Sequence, residues 1–120
     1  MNQNARSILE KLLLHQFLCE ADLEDVFTCA KAIVLTKLGL NYYISTEFSK
    51  SEQIFKQALQ LFDSVNDGLK LRFFNTLQEI YNTIGLILGH REDFESSIRY
   101  FLKAEELYNF IYELTEGVGF

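Results

Sequence analysis

Leu35-Thr36-Lys37-Leu38-Gly39, followed by Phe55-Lys56-Gln57-Ala58 and Leu61, returns 46 residues later. The second instance is Tyr81-Asn82-Thr83-Ile84-Gly85, followed by Phe101-Leu102-Lys103-Ala104 and Leu107. Phe48 and Phe94 obey the same displacement. Self-similarity at a fixed period of tens of residues marks a stacked repeat, in which each unit buries its apolar face against a neighbour. The logic of the pattern is steric. Gly39 and Gly85 remove a side chain where the two helices of a hairpin cross closest. Phe55 and Phe101 fill the volume between helices, and Ala58 and Ala104 let backbones approach. Leu38 and Ile84, with Leu35, Tyr42, Tyr81 and Leu88, fill the layer toward the neighbouring unit. A glycine inside a helix costs up to about 1 kcal/mol against alanine, so two at equivalent places indicate a packing need. A plain helical bundle with coincidental glycines is the alternative, and the number of positions that share the displacement argues against it.

The totals agree with a helical fold. The 120 residues are 48% hydrophobic, with eleven Phe and six Tyr, which suffices for a core and argues against disorder. There is no proline to kink or stop a helix. Five helices are expected in one all-α domain over 1–120: a leading helix over about 4–20, one hairpin over about 22–66 and a second over about 68–114. Asp22 reads as an N-cap with Asp25 in a capping-box-like position. Ser45 or Thr46 reads as the cap of the third helix, which reaches about Val65. Asn66-Asp67-Gly68 is the clearest break. The fourth helix runs from about Leu69 to Leu88, and Gly89 ends it as a left-handed C-cap would. The fifth runs from near Glu92 to Leu114. Long helices joined by short turns pack antiparallel, so the architecture is a stack of helical hairpins, with the leading helix as a cap or the second half of an incomplete repeat.

Charge and chemistry narrow the function. Acids outnumber bases, 17 to 11, for a net charge of −6. Such a surface repels phosphate backbones, which speaks against nucleic acid. It suits a basic protein partner, or simply keeps an apolar chain soluble. Cys19 and Cys29 are too few for a disulfide scaffold and lack a zinc spacing, so they read as thiols in a reducing compartment. His15 and Cys19 share a helix face, but two ligands do not make a zinc site. Only His15 and His90 could act as imidazole bases, and no nucleophile motif or glycine-rich phosphate loop accompanies them. No enzyme, metal or cofactor is therefore expected. The apolar run over 30–44 is interrupted by Lys31, Thr36, Lys37 and Asn41, short of a membrane span. Met1–Arg6 is polar with no pure apolar block after it, so a cytoplasmic protein is expected.

The order large, large-Gly, then Phe and Ala on the next helix is the tetratricopeptide signature. The period of 46, against the usual roughly 34, implies helices longer by a turn or more. In such an array the first helix of each hairpin lines the concave face. Ile33, Thr36, Leu40 and Tyr43, with Glu79, Asn82 and Leu86, lie off the packing stripe there. Thr36, Tyr43, Glu79, Asn82 and Leu86 are the candidate partner contacts, with Leu40, Leu86 and Tyr43 reading equally as core between repeats. The clamp that holds a chaperone's carboxylate tail uses Lys and Asn at such places; Thr36, Leu40 and Leu86 depart from it. The acidic groups Glu20, Asp22, Glu24, Asp25 and Glu92, Asp93, Glu95 read as solvated helix starts or as contacts for a basic partner.

With Leu38-Gly39-Leu40-Asn41 and Glu47, then Gly85-Leu86-Ile87-Leu88, Arg91-Glu92-Asp93 and Ala104-Glu105-Glu106-Leu107-Tyr108-Asn109, the chain resembles the kinesin-binding protein family over about residues 20–113. It matches the amino-terminal part of those longer proteins. The resemblance implies a non-enzymatic role: binding a kinesin motor domain, covering the helix that would meet the microtubule, and so inhibiting transport near the cytoskeleton. The basic microtubule-facing surface of a motor suits an acidic partner. A second expectation is an unrelated scaffold that forms homo-oligomers through its exposed repeat ends, with Phe110 and Ile111 buried between chains.

Overall fold

A computed structural model of the chain describes Arg6, residues 8–10 and residues 23–115. It is all-α, and no strand occurs among the described residues. We number the helices α1 (Leu23–Ile44), α2 (Phe48–Asp63), α3 (Asp67–Leu71), α4 (Phe74–His90) and α5 (Phe94–Thr115). Arg6 and residues 8–10 are helical, and the rest of the expected leading helix, with Asp22 and Cys19, lies outside the described residues. α1 packs on α2 and α4 packs on α5, while α4 also lies against both α1 and α2. The result is two antiparallel hairpins stacked side by side.

Each hairpin is closed at the same places. A Cβ built on Gly39 would lie 2.7 Å from the Phe55 ring, and one on Gly85 would lie 2.8 Å from the Phe101 ring. The Ser51 hydroxyl donates to the Gly39 carbonyl at 2.6 Å, and the Ser97 hydroxyl to the Gly85 carbonyl at 2.6 Å. Ser51 and Ser97 are buried, so these bonds satisfy polar groups that water does not reach. Both tight turns carry a non-glycine residue in the left-handed region, Thr46 and Glu92, each at φ 62°. All three features keep the 46-residue displacement.

The core between the hairpins holds Cys29, Ala32, Phe55, Ala58, Phe62, Leu69, Leu77, Ile80, Ile84 and Ile87. Burial pushes the Cys29 thiol up in pKa, with the nearby Asp25 charge adding to it. Ala104 is buried as expected, but Leu38 and Phe101 are not fully packed: they are 39% and 38% exposed. Their partners by displacement, Ile84 and Phe55, are fully buried. The difference is positional, because Ile84 and Phe55 face the joint between hairpins and Leu38 and Phe101 face its two open ends.

Local boundaries differ from expectation in three places. α2 starts after Glu47, which makes no side-chain cap, so neither Ser45 nor Thr46 caps it. Thr46 supplies the left-handed turn instead. The Asn66 region is not a plain break: Asn66 Oδ1 accepts from the Leu69 amide at 2.8 Å and caps the short α3, so the expected fourth helix is split in two. Gly89 is helical and has no positive φ; α4 runs on through His90, and Glu92 takes the left-handed role.

Candidate partner-binding surface

The expected contacts fall into two groups. On α4, Glu79, Asn82 and Leu86 lie three and four residues apart, so they share one helix face. All three are exposed. The equivalent residues of α1 are Ile33, Thr36 and Leu40, and these are covered. Thr36 is fully buried and its hydroxyl donates to the Ala32 carbonyl at 2.7 Å, so it is core and not a partner contact. Ile33, Leu40 and Tyr43 pack against the core. Tyr43 also lies 5.5 Å from the Phe48 ring and 6.5 Å from His90, which makes it part of the joint. The second hairpin covers these positions on the first, and no described hairpin covers the second.

Polar contacts hold the hairpins in register. Arg91, in the turn after α4, forms an ion pair with Glu52 on α2 and donates to the Ser49 hydroxyl at 3.1 Å. Glu52 also meets Lys56 at 3.0 Å. Burial by itself would raise the Glu52 pKa; hydrogen bonds and charges from Lys56 and Arg91 outweigh it and hold the carboxyl below its usual value. Beside this pair, His90 stacks on Phe48 at 4.8 Å, and Phe62 meets Phe73 at 5.8 Å. Sequence displacement did not expose Glu52–Arg91, because its equivalents are Ile98 and Ser45.

Concavities follow from this arrangement. A groove of ≈ 940 Å³ runs between α1 and α2 past Phe27, Lys31, Val34, Leu35, Gln57 and Leu61. Its counterpart in the second hairpin, ≈ 510 Å³, passes Leu77, Tyr81, Lys103 and Leu107 and is partly roofed by Asp67, Lys70 and Leu71 of α3. Lys70 ties α3 back to α2 through Asp63 at 2.6 Å. A third notch of ≈ 290 Å³ opens at Gly85, Leu86, Gly89, His90, Ser97 and Phe101, at the uncovered end. The acidic starts stay separate: Glu24 is exposed on α1, and Glu92, Asp93 and Glu95 lie at the turn before α5. Asp93 accepts from the Ser96 amide at 3.3 Å, and Glu95 pairs with Arg99 at 2.6 Å.

Among the described residues no cluster of three or more His, Cys, Asp or Glu could hold a metal ion, and no helix is long and apolar enough to cross a membrane. His15 and Glu20 lie outside the described residues. No protein-family model, curated protein or solved structure matches the chain.

Proposed function

We propose that this chain is a non-catalytic protein-interaction module of the tetratricopeptide type, acting as its resemblance to the kinesin-binding family implies: it holds a kinesin motor domain and keeps it off the microtubule. The observation that carries the reading is the open α4 face, where Glu79, Asn82 and Leu86 stand exposed on a helix fixed by its neighbours on two sides. A rigid helix that offers an acid, an amide and an aliphatic side chain can contact a basic helix without reorganising. The net charge of −6 speeds encounter with a basic partner at low salt.

Co-sedimentation tests this directly. A kinesin motor domain is pelleted with microtubules, with and without the chain. The expected result is motor displaced into the supernatant, and less displacement by Glu79→Lys or Leu86→Asp. A motor that stays in the pellet at saturating chain overturns the motor reading. The exposed apolar ends of the stack favour, as the second reading, a scaffold for another protein.

A further inference from the structure

The joint between the two hairpins records how one hairpin receives another. α2 offers Phe48, Glu52, Phe55 and Phe62, and the second hairpin enters with Phe73, Ile80, Ile84, His90 and Arg91. Displaced by 46 residues, the receiving face recurs on α5 as Phe94, Ile98, Phe101 and Tyr108. The entering face recurs on the first hairpin as Phe27, Val34, Leu38, Ile44 and Ser45. All nine of these residues are exposed. Tyr108 is 55% exposed where Phe62 is buried, and Val34 is 67% exposed where Ile80 is buried. Among the described residues, the two open ends of the stack are thus the two halves of a joint it already contains.

We infer that a second copy of this chain docks its α1 on α5 of the first, in the geometry by which α4 docks on α2. The residue changes between the internal joint and the open ends favour this occupant. Inside, His90 stacks on Phe48; at the ends the same positions are Ile44, 76% exposed, and Phe94. Inside, Glu52 pairs with Arg91; at the ends the positions are Ile98 and Ser45, with no charge to strand. Gly89 stands where Tyr43 flanks His90, and the ≈ 290 Å³ notch beside it receives Ile44 of the second copy. Half-exposed side chains of this size carry roughly 400 Å² of apolar surface on each end, which places the contact at the weak end of specific interfaces. Because the two faces differ, the contact is head-to-tail and does not close, so copies add in series. In this geometry the second copy also covers Glu79, Asn82 and Leu86, as the second hairpin covers Ile33, Thr36 and Leu40, so self-docking competes with any partner held on the α4 face.

Sedimentation velocity of the full chain over a concentration series up to hundreds of micromolar tests the inference. The expected weight-average coefficient climbs without a plateau at dimer. Ile44→Asp spoils one end and Ile98→Asp the other; both sites are exposed, so helicity and melting stay unchanged. Each variant alone loses self-association at least tenfold, and an equimolar mixture forms a 1:1 dimer and nothing larger, because each supplies the end the other lacks. Adding Ser45→Arg to Ile98→Glu rebuilds the Glu52–Arg91 pair across the contact and restores association in a salt-sensitive form. A wild-type chain monomeric throughout overturns the proposal. So does an Ile44→Asp chain that associates like wild type, a mixture that stays monomeric, or a double variant no better than Ile98→Glu.

Discussion

The ring of Phe55 lies so close to Gly39 that a Cβ there would sit 2.7 Å from it, and Phe101 stands in the same relation to Gly85 at 2.8 Å. The two contacts differ in what surrounds the ring. Phe55 is sealed in the core, whereas Phe101 is 38% exposed and has room to swing away. Gly39→Ala therefore overpacks the core and costs about 2 kcal/mol. At Gly85→Ala the ring yields, and the helical gain of alanine, up to about 1 kcal/mol, offsets the strain. Urea unfolding of the two variants measures the difference; equal losses would show that the second ring is as confined as the first.

Glu52 and Arg91 bind the hairpins through a charge pair whose carboxyl is held below its usual pKa of 4.5. A depressed carboxyl stabilises the fold above its unfolded-state pKa, and that contribution disappears as pH falls through the folded value. Stability should drop as pH is lowered from about 5, and Glu52→Gln should remove that part of the slope while costing about 1 kcal/mol at neutral pH. Denaturant titrations at pH 7 and at pH 4 read both effects.

Thr46 and Glu92 hold left-handed backbone with a side chain present. An L residue there costs on the order of 1 kcal/mol relative to glycine. Thr46→Gly and Glu92→Gly should each raise the melting temperature by several degrees, as about 1 kcal/mol does for a domain of this size. Glu92→Pro, whose φ is locked near −65°, should disrupt the second turn.

Phe62 and Tyr108 occupy equivalent places, one buried in the joint and one at the open end. Truncation of Phe62 to alanine removes a core ring and costs about 3–5 kcal/mol. Tyr108→Ala should cost less than about 1 kcal/mol as an exposed change. Chemical denaturation of the pair measures how far the second hairpin shields the first.

Much of the hairpin interior was legible in the sequence, because residues that meet within a hairpin recur with the hairpin. Gly39 with Phe55 and Gly85 with Phe101 are the clearest cases. The matched serines Ser51 and Ser97 carry the same signal, because their shared displacement marks the hydroxyl that closes each crossing. Contacts between hairpins were not legible in this way. Glu52–Arg91 occurs once, since a stack of two hairpins has one joint, and periodicity cannot show a feature with a single instance. Thr36 was misplaced for a related reason: the face that is open on α4 is covered on α1. Asn66 and Gly89 misled because the same residue types break helices, cap them and permit close approach, and only the packing around them decides among these roles.

The matched turns have a consequence for the chain as a length of material. The turn before α2 and the turn before α5 share their left-handed residue, their serine and the carbonyl it meets. A chain spliced from Glu47 directly to Phe94 would bring Ser97 to the Gly39 carbonyl and the Phe101 ring to Gly39. The two turns are interchangeable cut points, so insertion or loss in whole steps of 46 residues leaves every remaining crossing intact.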